Sequence, residues 1–291
     1  MADFAAFVDI GVKHVDLSHV SELVTQFVKD PYARRLVMGR GCISDNKGGL
    51  PVHATPVTLT QRQIITLGGG GFSMEPENLA LDRYILAQVS ASRPKVCFVP
   101  TASGDAEGYV ERFYTSFRTL DCEPSHLALF RRTVVDLESH ILGQDILYVG
   151  GGNTLNMLAV WRAHGLDHIL RKAWEHGVVL AGISAGSICW YETGLTDSKP
   201  GALTPLACLG FLPGSNCVHF DSEAERRPTY HRLVASGDMA CGYAADDGVA
   251  LHFHGTTLAN VLSSRPDARA YYVTRVDAGA EETPIIPRLL N

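Results

Sequence analysis

From Gln63 onward the sequence predicts an α/β fold: a mostly parallel sheet flanked by helices on both faces. Three observations carry this reading. Short apolar runs recur at the length of buried strands, glycine-rich turns close several of them, and stretches of helical character follow the turns. In such sheets, active groups gather beyond the carboxyl ends of the strands.

Each element can be justified in order. Ile64, Ile65, Thr66 and Leu67 form a strand candidate that runs into the glycines Gly68 to Gly71, followed by helix-compatible residues 78–91. Residues 96–99 make the next strand, stopped by Pro100. A helix is expected over 107–120 and a strand over 125–130, whose exit carries Arg131 and Arg132. Residues 146–149 meet a second glycine turn, Gly150-Gly151-Gly152, and Asn153 and Thr154 are suited to cap a helix reaching His164. A further helix over 166–176 ends at Gly177, and the strand 178–181 then enters Gly182-Ile183-Ser184-Ala185-Gly186. Past Tyr191 the pattern is irregular until residues 242–253, where two strand-like runs around an Asp-Gly pair suggest an antiparallel hairpin at a sheet edge. Residues 1–62 differ in character and are expected to form an N-terminal extension, loosely packed or disordered, ahead of a catalytic domain over 63–291.

Composition narrows the partners. A formal net charge of −6 and a pI near 6.0 give no long-range attraction to nucleic acid or to an anionic membrane. No stretch has the apolar length to cross a bilayer, and the N-terminus carries Asp3 and Asp9 where an export signal would be basic. Seven cysteines without a C-x-x-C pair fit a reducing compartment, so a cytoplasmic location is expected. A homodimer is the assembly entertained, and a small peptide is the expected partner.

The G-x-S-x-G run at 182–186 carries the chemistry. Its glycines permit the sharp strand-to-helix turn that lifts a serine hydroxyl from the sheet, with the following N–H facing a developing oxyanion. The plain alternative is a strand-to-helix turn in which Ser184 serves only as an N-cap. An acyl-transfer serine needs a base and a group that orients the base. His219 lies 35 residues after Ser184 in an apolar run that can return it to the turn. For the acid, Asp197 in a loop between serine and histidine is preferred, with Glu192 as the rival on the helix expected after Ser184. Ala185 and one of Gly151 or Gly152 would supply the oxyanion N–H groups. His252 and His254 share a strand face, but no further ligand at metal spacing accompanies them, and neither a metal nor a cofactor is expected.

Taken together, residues 63–74, the Gly150-Gly151-Gly152-Asn153-Thr154 turn, Ser184-Ala185-Gly186-Ser187, Thr196-Asp197-Ser198 and Val218-His219-Phe220 resemble the peptidase E family of serine peptidases, with cyanophycinase a more distant relative. The resemblance runs from about Gln63 to near Val273. It implies a three-layer, flavodoxin-like sandwich of the class I glutamine amidotransferase type and an exopeptidase releasing N-terminal aspartate from dipeptides. It also implies Ser184 as nucleophile, His219 as base and Asp197 as acid, with Arg226 and Asn153 as candidate substrate-binding residues; Arg227 is a neighbouring cation of the same type. A cyanophycinase-like peptidase and a non-catalytic binding protein of the same fold are the alternatives.

Overall fold

The computed structural model describes residues 62–290, and apart from Arg62 the expectation for residues 1–62 lies outside the described residues. Its strands are β1 (Gln63–Leu67), β2 (Lys95–Val99), β3 (Glu123–His126), β4 (Ile146–Val149), β5 (Val179–Ile183), β6 (Tyr191–Thr196), β7 (Thr204–Ala207), β8 (Leu212–Cys217), β9 (Gly242–Ala245), β10 (Val249–His254), β11 (Thr257–Ser263), β12 (Ala270–Val276), β13 (Gly279–Ile285) and β14 (Arg288–Leu289). The helices are α1 (Gly71–Met74), α2 (Ala80–Leu86), α3 (Glu107–Phe117), α4 (Leu137–Leu142), α5 (Thr154–His164), α6 (Leu166–Glu175), α7 (Ala185–Ile188) and α8 (Arg226–Ser236).

The expected sheet is present, with eight strands in the order β14-β11-β10-β1-β5-β4-β2-β3. Strands β1, β5, β4, β2 and β3 run parallel, and β10 adds antiparallel to β1. The strands β4 and β5 are buried along their whole length, so they read as continuous apolar runs. One core cluster packs Leu158, Trp161, Leu170 and Trp190, and a second gathers Phe72, Phe98, Phe113 and Tyr148. Several rings of the second meet edge to face on Phe72, an arrangement that adds to simple area burial.

Three local expectations need adjustment. The strand expected over 125–130 is β3, which leaves the sheet after His126. The backbone N–H groups of Leu129 and Phe130 donate instead to the Asp105 carboxylate at 2.6 and 2.7 Å. The helix after Ser184 is the single turn α7. Chain direction then changes because Phe211 and Leu212 donate to the Trp190 carbonyl and draw the chain into β6. Residues 242–253 are not a hairpin. Strand β9 pairs with β8 and β12, whereas β10 pairs with β1 and β11, so the Asp246-Asp247-Gly248 link passes from one sheet to another. That other sheet has six strands, in the order β13-β12-β9-β8-β6-β7, and the sequence pattern past Tyr191 did not disclose it. Strand β8 reads Leu-Pro-Gly-Ser-Asn-Cys, which has neither alternation nor an apolar run. Helix α8 covers this sheet through Tyr230, Leu233 and Val234.

Candidate active site

Ser184 stands between β5 and α7 with φ +56° and ψ −114°, a backbone conformation unfavourable for a residue with a side chain. Such positions cost on the order of 1–3 kcal/mol and persist where surrounding structure over-determines them. Three features do so here. The Ser184 N–H donates to the Leu67 carbonyl at 3.2 Å, and its own carbonyl accepts from Ser187 and Ile188. Gly182 and Gly186 let α7 cross tightly over the sheet: a Cβ at Gly182 would collide with the Gly186 carbonyl, and one at Gly186 with the Val149 carbonyl. The Ser184 side chain makes no capping bond, so it is not the simple N-cap of the plain alternative.

The hydroxyl instead meets His219. Ser184 Oγ lies 2.9 Å from His219 Nε2, and His219 Nδ1 lies 2.6 Å from Asp247 Oδ1. His219 sits just past β8 with φ +53°, and its N–H donates to the Gly68 carbonyl at 3.3 Å. The first glycine turn therefore seats both the histidine and the acid. A Cβ at Gly68 would strike the carbonyls of Ala245 and Asp246, and one at Gly69 the Asp247 carboxylate.

The carboxylate that meets His219 is thus Asp247, where Asp197 was expected. Asp197 is exposed, follows β6, and lies 3.9 Å from the Arg226 guanidinium, away from the imidazole. Its loop is tied down elsewhere: Ser198 Oγ accepts from the Leu155 N–H at 3.2 Å, and Asn153 Nδ2 donates to the Ser198 carbonyl at 3.0 Å. Glu192 is not on the helix but on β6, where its carboxylate accepts the Gly214 N–H at 2.9 Å and supports β8. Asp247 lies 28 residues beyond His219 and is nearly buried. Burial works to raise its pKa, yet the hydrogen bond and charge of His219, the Ser222 hydroxyl and the Arg265 guanidinium outweigh it and hold the carboxyl below its ordinary value. An ionised Asp247 accepts a hydrogen bond from the Nδ1–H, which leaves Nε2 unprotonated and free to accept from the serine hydroxyl. Asp221 accepts the Asp247 N–H at 2.8 Å, and Arg265 is paired to Glu75.

The second glycine turn lies on the other side of the hydroxyl. A Cβ at Gly151 would stand 3.2 Å from Ser184 Cβ and 3.7 Å from its Oγ, so glycine keeps that approach open. The Gly151 N–H itself donates to the Tyr109 hydroxyl at 3.2 Å. The N–H groups of Gly152 and Ala185 make no hydrogen bond to another described residue.

Two substrate-binding candidates are engaged within the protein. Arg226 is buried, its Nε donating to Glu223 at 2.7 Å and its Nη1 to the Leu195 carbonyl at 2.9 Å. Asn153 caps α5, accepting from the Asn156 N–H at 2.9 Å, while its amide nitrogen holds Ser198. Arg227 is stacked between Phe220 and Tyr271, with its guanidinium carbon 4.5 and 4.7 Å from the ring centres. Both nitrogens of His252 are used, by Tyr84 at 2.7 Å and Gln63 at 2.9 Å, which leaves none for a metal.

A half-buried serine in a strained strand-to-helix turn, hydrogen-bonded through histidine to a carboxylate, is the constellation of a serine hydrolase. The model of peptidase family S51 matches residues 64–261. The chain belongs to that family, which makes it a peptidase of the serine type. It is 56% identical over 230 residues to uncharacterized peptidase YgaJ of Bacillus subtilis (strain 168), covering 79% of this chain and 100% of that protein. A second relative, uncharacterized peptidase Lmo0363 of Listeria monocytogenes serovar 1/2a (strain ATCC BAA-679 / EGD-e), is 26% identical over 135 residues, covering 44% of this chain and 66% of its own. The fold is shared with a crystal structure of a peptidase from an acI-B1 actinobacterium, at TM-score 0.58 and 17% identity over 77% of this chain and 94% of that one. It is also shared with a structure assigned to peptidase E from Listeria monocytogenes EGD-e, at TM-score 0.50 and 17% identity over 68% of this chain and 96% of the other. Among the described residues, no helix is long and apolar enough to cross a membrane.

Proposed function

We propose that the protein is a serine exopeptidase that hydrolyses dipeptides or short peptides through an acyl-enzyme on Ser184. The observation that carries this is the unbroken line Ser184 Oγ, His219, Asp247, with both contacts at hydrogen-bond distance. His219 Nε2 takes the hydroxyl proton as Oγ bonds to the carbonyl carbon of the N-terminal residue. Asp247 stabilises the imidazolium and does not itself take the proton. The N–H of Ala185 and one N–H of the Gly151-Gly152 pair stabilise the oxyanion; Gly152 is favoured because Tyr109 already accepts from Gly151. The C–N bond then breaks, His219 delivers its proton to the leaving amine, and water, activated by the same imidazole, cleaves the ester.

An N-terminal aspartate remains the first substrate to test, on the strength of the resemblance to peptidase E. Arg226 supports this less than its position in the sequence suggests, because its guanidinium is already committed to Glu223 and Leu195. Stoichiometric labelling by a fluorophosphonate at Ser184, with turnover of Asp-Leu abolished in Ser184→Ala, is the expected result. Substantial hydrolysis by a folded Ser184→Ala protein would remove the nucleophile. Release from Asp-Leu, an Asp-Arg polymer and neutral dipeptides, measured side by side, fixes the substrate class.

A further inference from the structure

The two glycine turns that flank Ser184 are joined by one buried side chain, Tyr109 of α3. Its hydroxyl accepts the Gly151 N–H at 3.2 Å and lies 2.7 Å from Ser73 Oγ on α1, the helix that opens at the end of the first glycine turn. Its ring is pressed on Gly150, where a Cβ would come within 2.9 Å of the ring carbon Cε1. The same ring packs against Phe98 at 5.0 Å and Phe72 at 5.8 Å between centroids, so it has little room to move. The first turn seats His219 and Asp247; the second brings Gly151 against Ser184.

We propose that Tyr109 is a positioning residue for the reaction: its hydroxyl sets the second glycine turn at the height from which a backbone N–H reaches the oxyanion, and locks that turn to the one beneath His219. This rests on the acyl-enzyme reading above. The hydroxyl acts on the transition state through Gly151 and Gly152 and touches no substrate atom. Its requirement is geometric, because oxyanion donors are effective only within a few tenths of an ångström of the position the oxygen takes up in the transition state.

Tyr109→Phe removes the hydroxyl and retains the ring against Gly150, Phe98 and Phe72. Expected is a fall in kcat of about tenfold or more, less than the ~10²–10³ that follows loss of an oxyanion donor itself, with KM changed by less than about threefold. The rate of fluorophosphonate labelling at Ser184 should fall in parallel, since the phosphonyl oxygen occupies the same place. Ser73→Ala, which removes the other partner of the hydroxyl, should lower kcat in the same direction by a smaller factor. A purely structural role would shift the thermal midpoint and leave kcat per folded molecule unchanged. If kcat and the labelling rate of folded Tyr109→Phe and Ser73→Ala both stay within twofold of the wild type, the proposal is overturned. Labelling of the wild type at Ser184 keeps this outcome separate from failure of the acyl-enzyme reading, which would show as absence of labelling altogether.

Discussion

In the mechanism proposed above, Asp247 is the single carboxylate that decides the chemistry. Asp247→Asn preserves the shape of the side chain but can hold the imidazole in the wrong tautomer, and kcat should fall by roughly 10³–10⁴. Asp197→Asn and Glu192→Gln should keep kcat within a few fold, since neither carboxylate reaches His219. Steady-state kinetics of the three variants on one dipeptide separates these outcomes. Ser184 and His219 were legible in the sequence because the elbow motif is local and the histidine lies in an apolar run returning to it. The acid was not. It follows the histidine across α8 and β9, outside the interval between serine and histidine where a Ser, Asp, His order places an acid. Its signal was present as the Asp246-Asp247-Gly248 triplet, yet an Asp-Gly pair between two strand-like runs has the same local chemistry as a hairpin turn. Only the pairing of β9 and β10 in different sheets distinguishes the two.

Among the elements, the crossing of α7 over β5 and β4 depends on two glycines with different neighbours. Gly182→Ala and Gly186→Ala each drive a methyl group into a backbone carbonyl that cannot step aside. Each should lower the thermal midpoint by several degrees, on the scale of 1–3 kcal/mol for over-packing, and abolish fluorophosphonate labelling. Gly151→Ala should behave differently. Its Cβ finds 3.2 Å to Ser184 Cβ, so the expected result is slower labelling in a protein that still folds. The sheet and its helices were readable because buried parallel strands announce themselves as apolar runs ended by glycine or proline. The six-stranded sheet was not, because its strands carry polar and glycine residues on a partly exposed surface; β7 alternates only between half-buried and exposed positions.

At the scale of the whole molecule, stability should respond to acid through the seam between β1 and β10. His252 is buried there between Tyr84 and Gln63, with the His254 ring set edge to face beside it at 4.7 Å. Burial, and then the neighbouring His254, lower its pKa from 6.5 to about 4. The unfolded chain therefore takes up a proton that the folded chain refuses, and stability present above pH 6.5 is lost as pH falls toward 4, by roughly 3 kcal/mol at the limit. His252→Gln should show a smaller drop in thermal midpoint between pH 7 and pH 4.5 than the wild type. An equal drop in both proteins would assign the acid sensitivity to other groups.

Because Ser184 follows a strand of one sheet, His219 follows a strand of another, and Asp247 lies on the link between them, this hydrogen-bonded line is only as sound as the joint between the two sheets. A slip too small to melt either sheet would part serine from imidazole. As urea is raised, peptide turnover should therefore fade while the circular dichroism of both sheets persists, and a crosslink pinning β9 to β10 should bring the two curves back together.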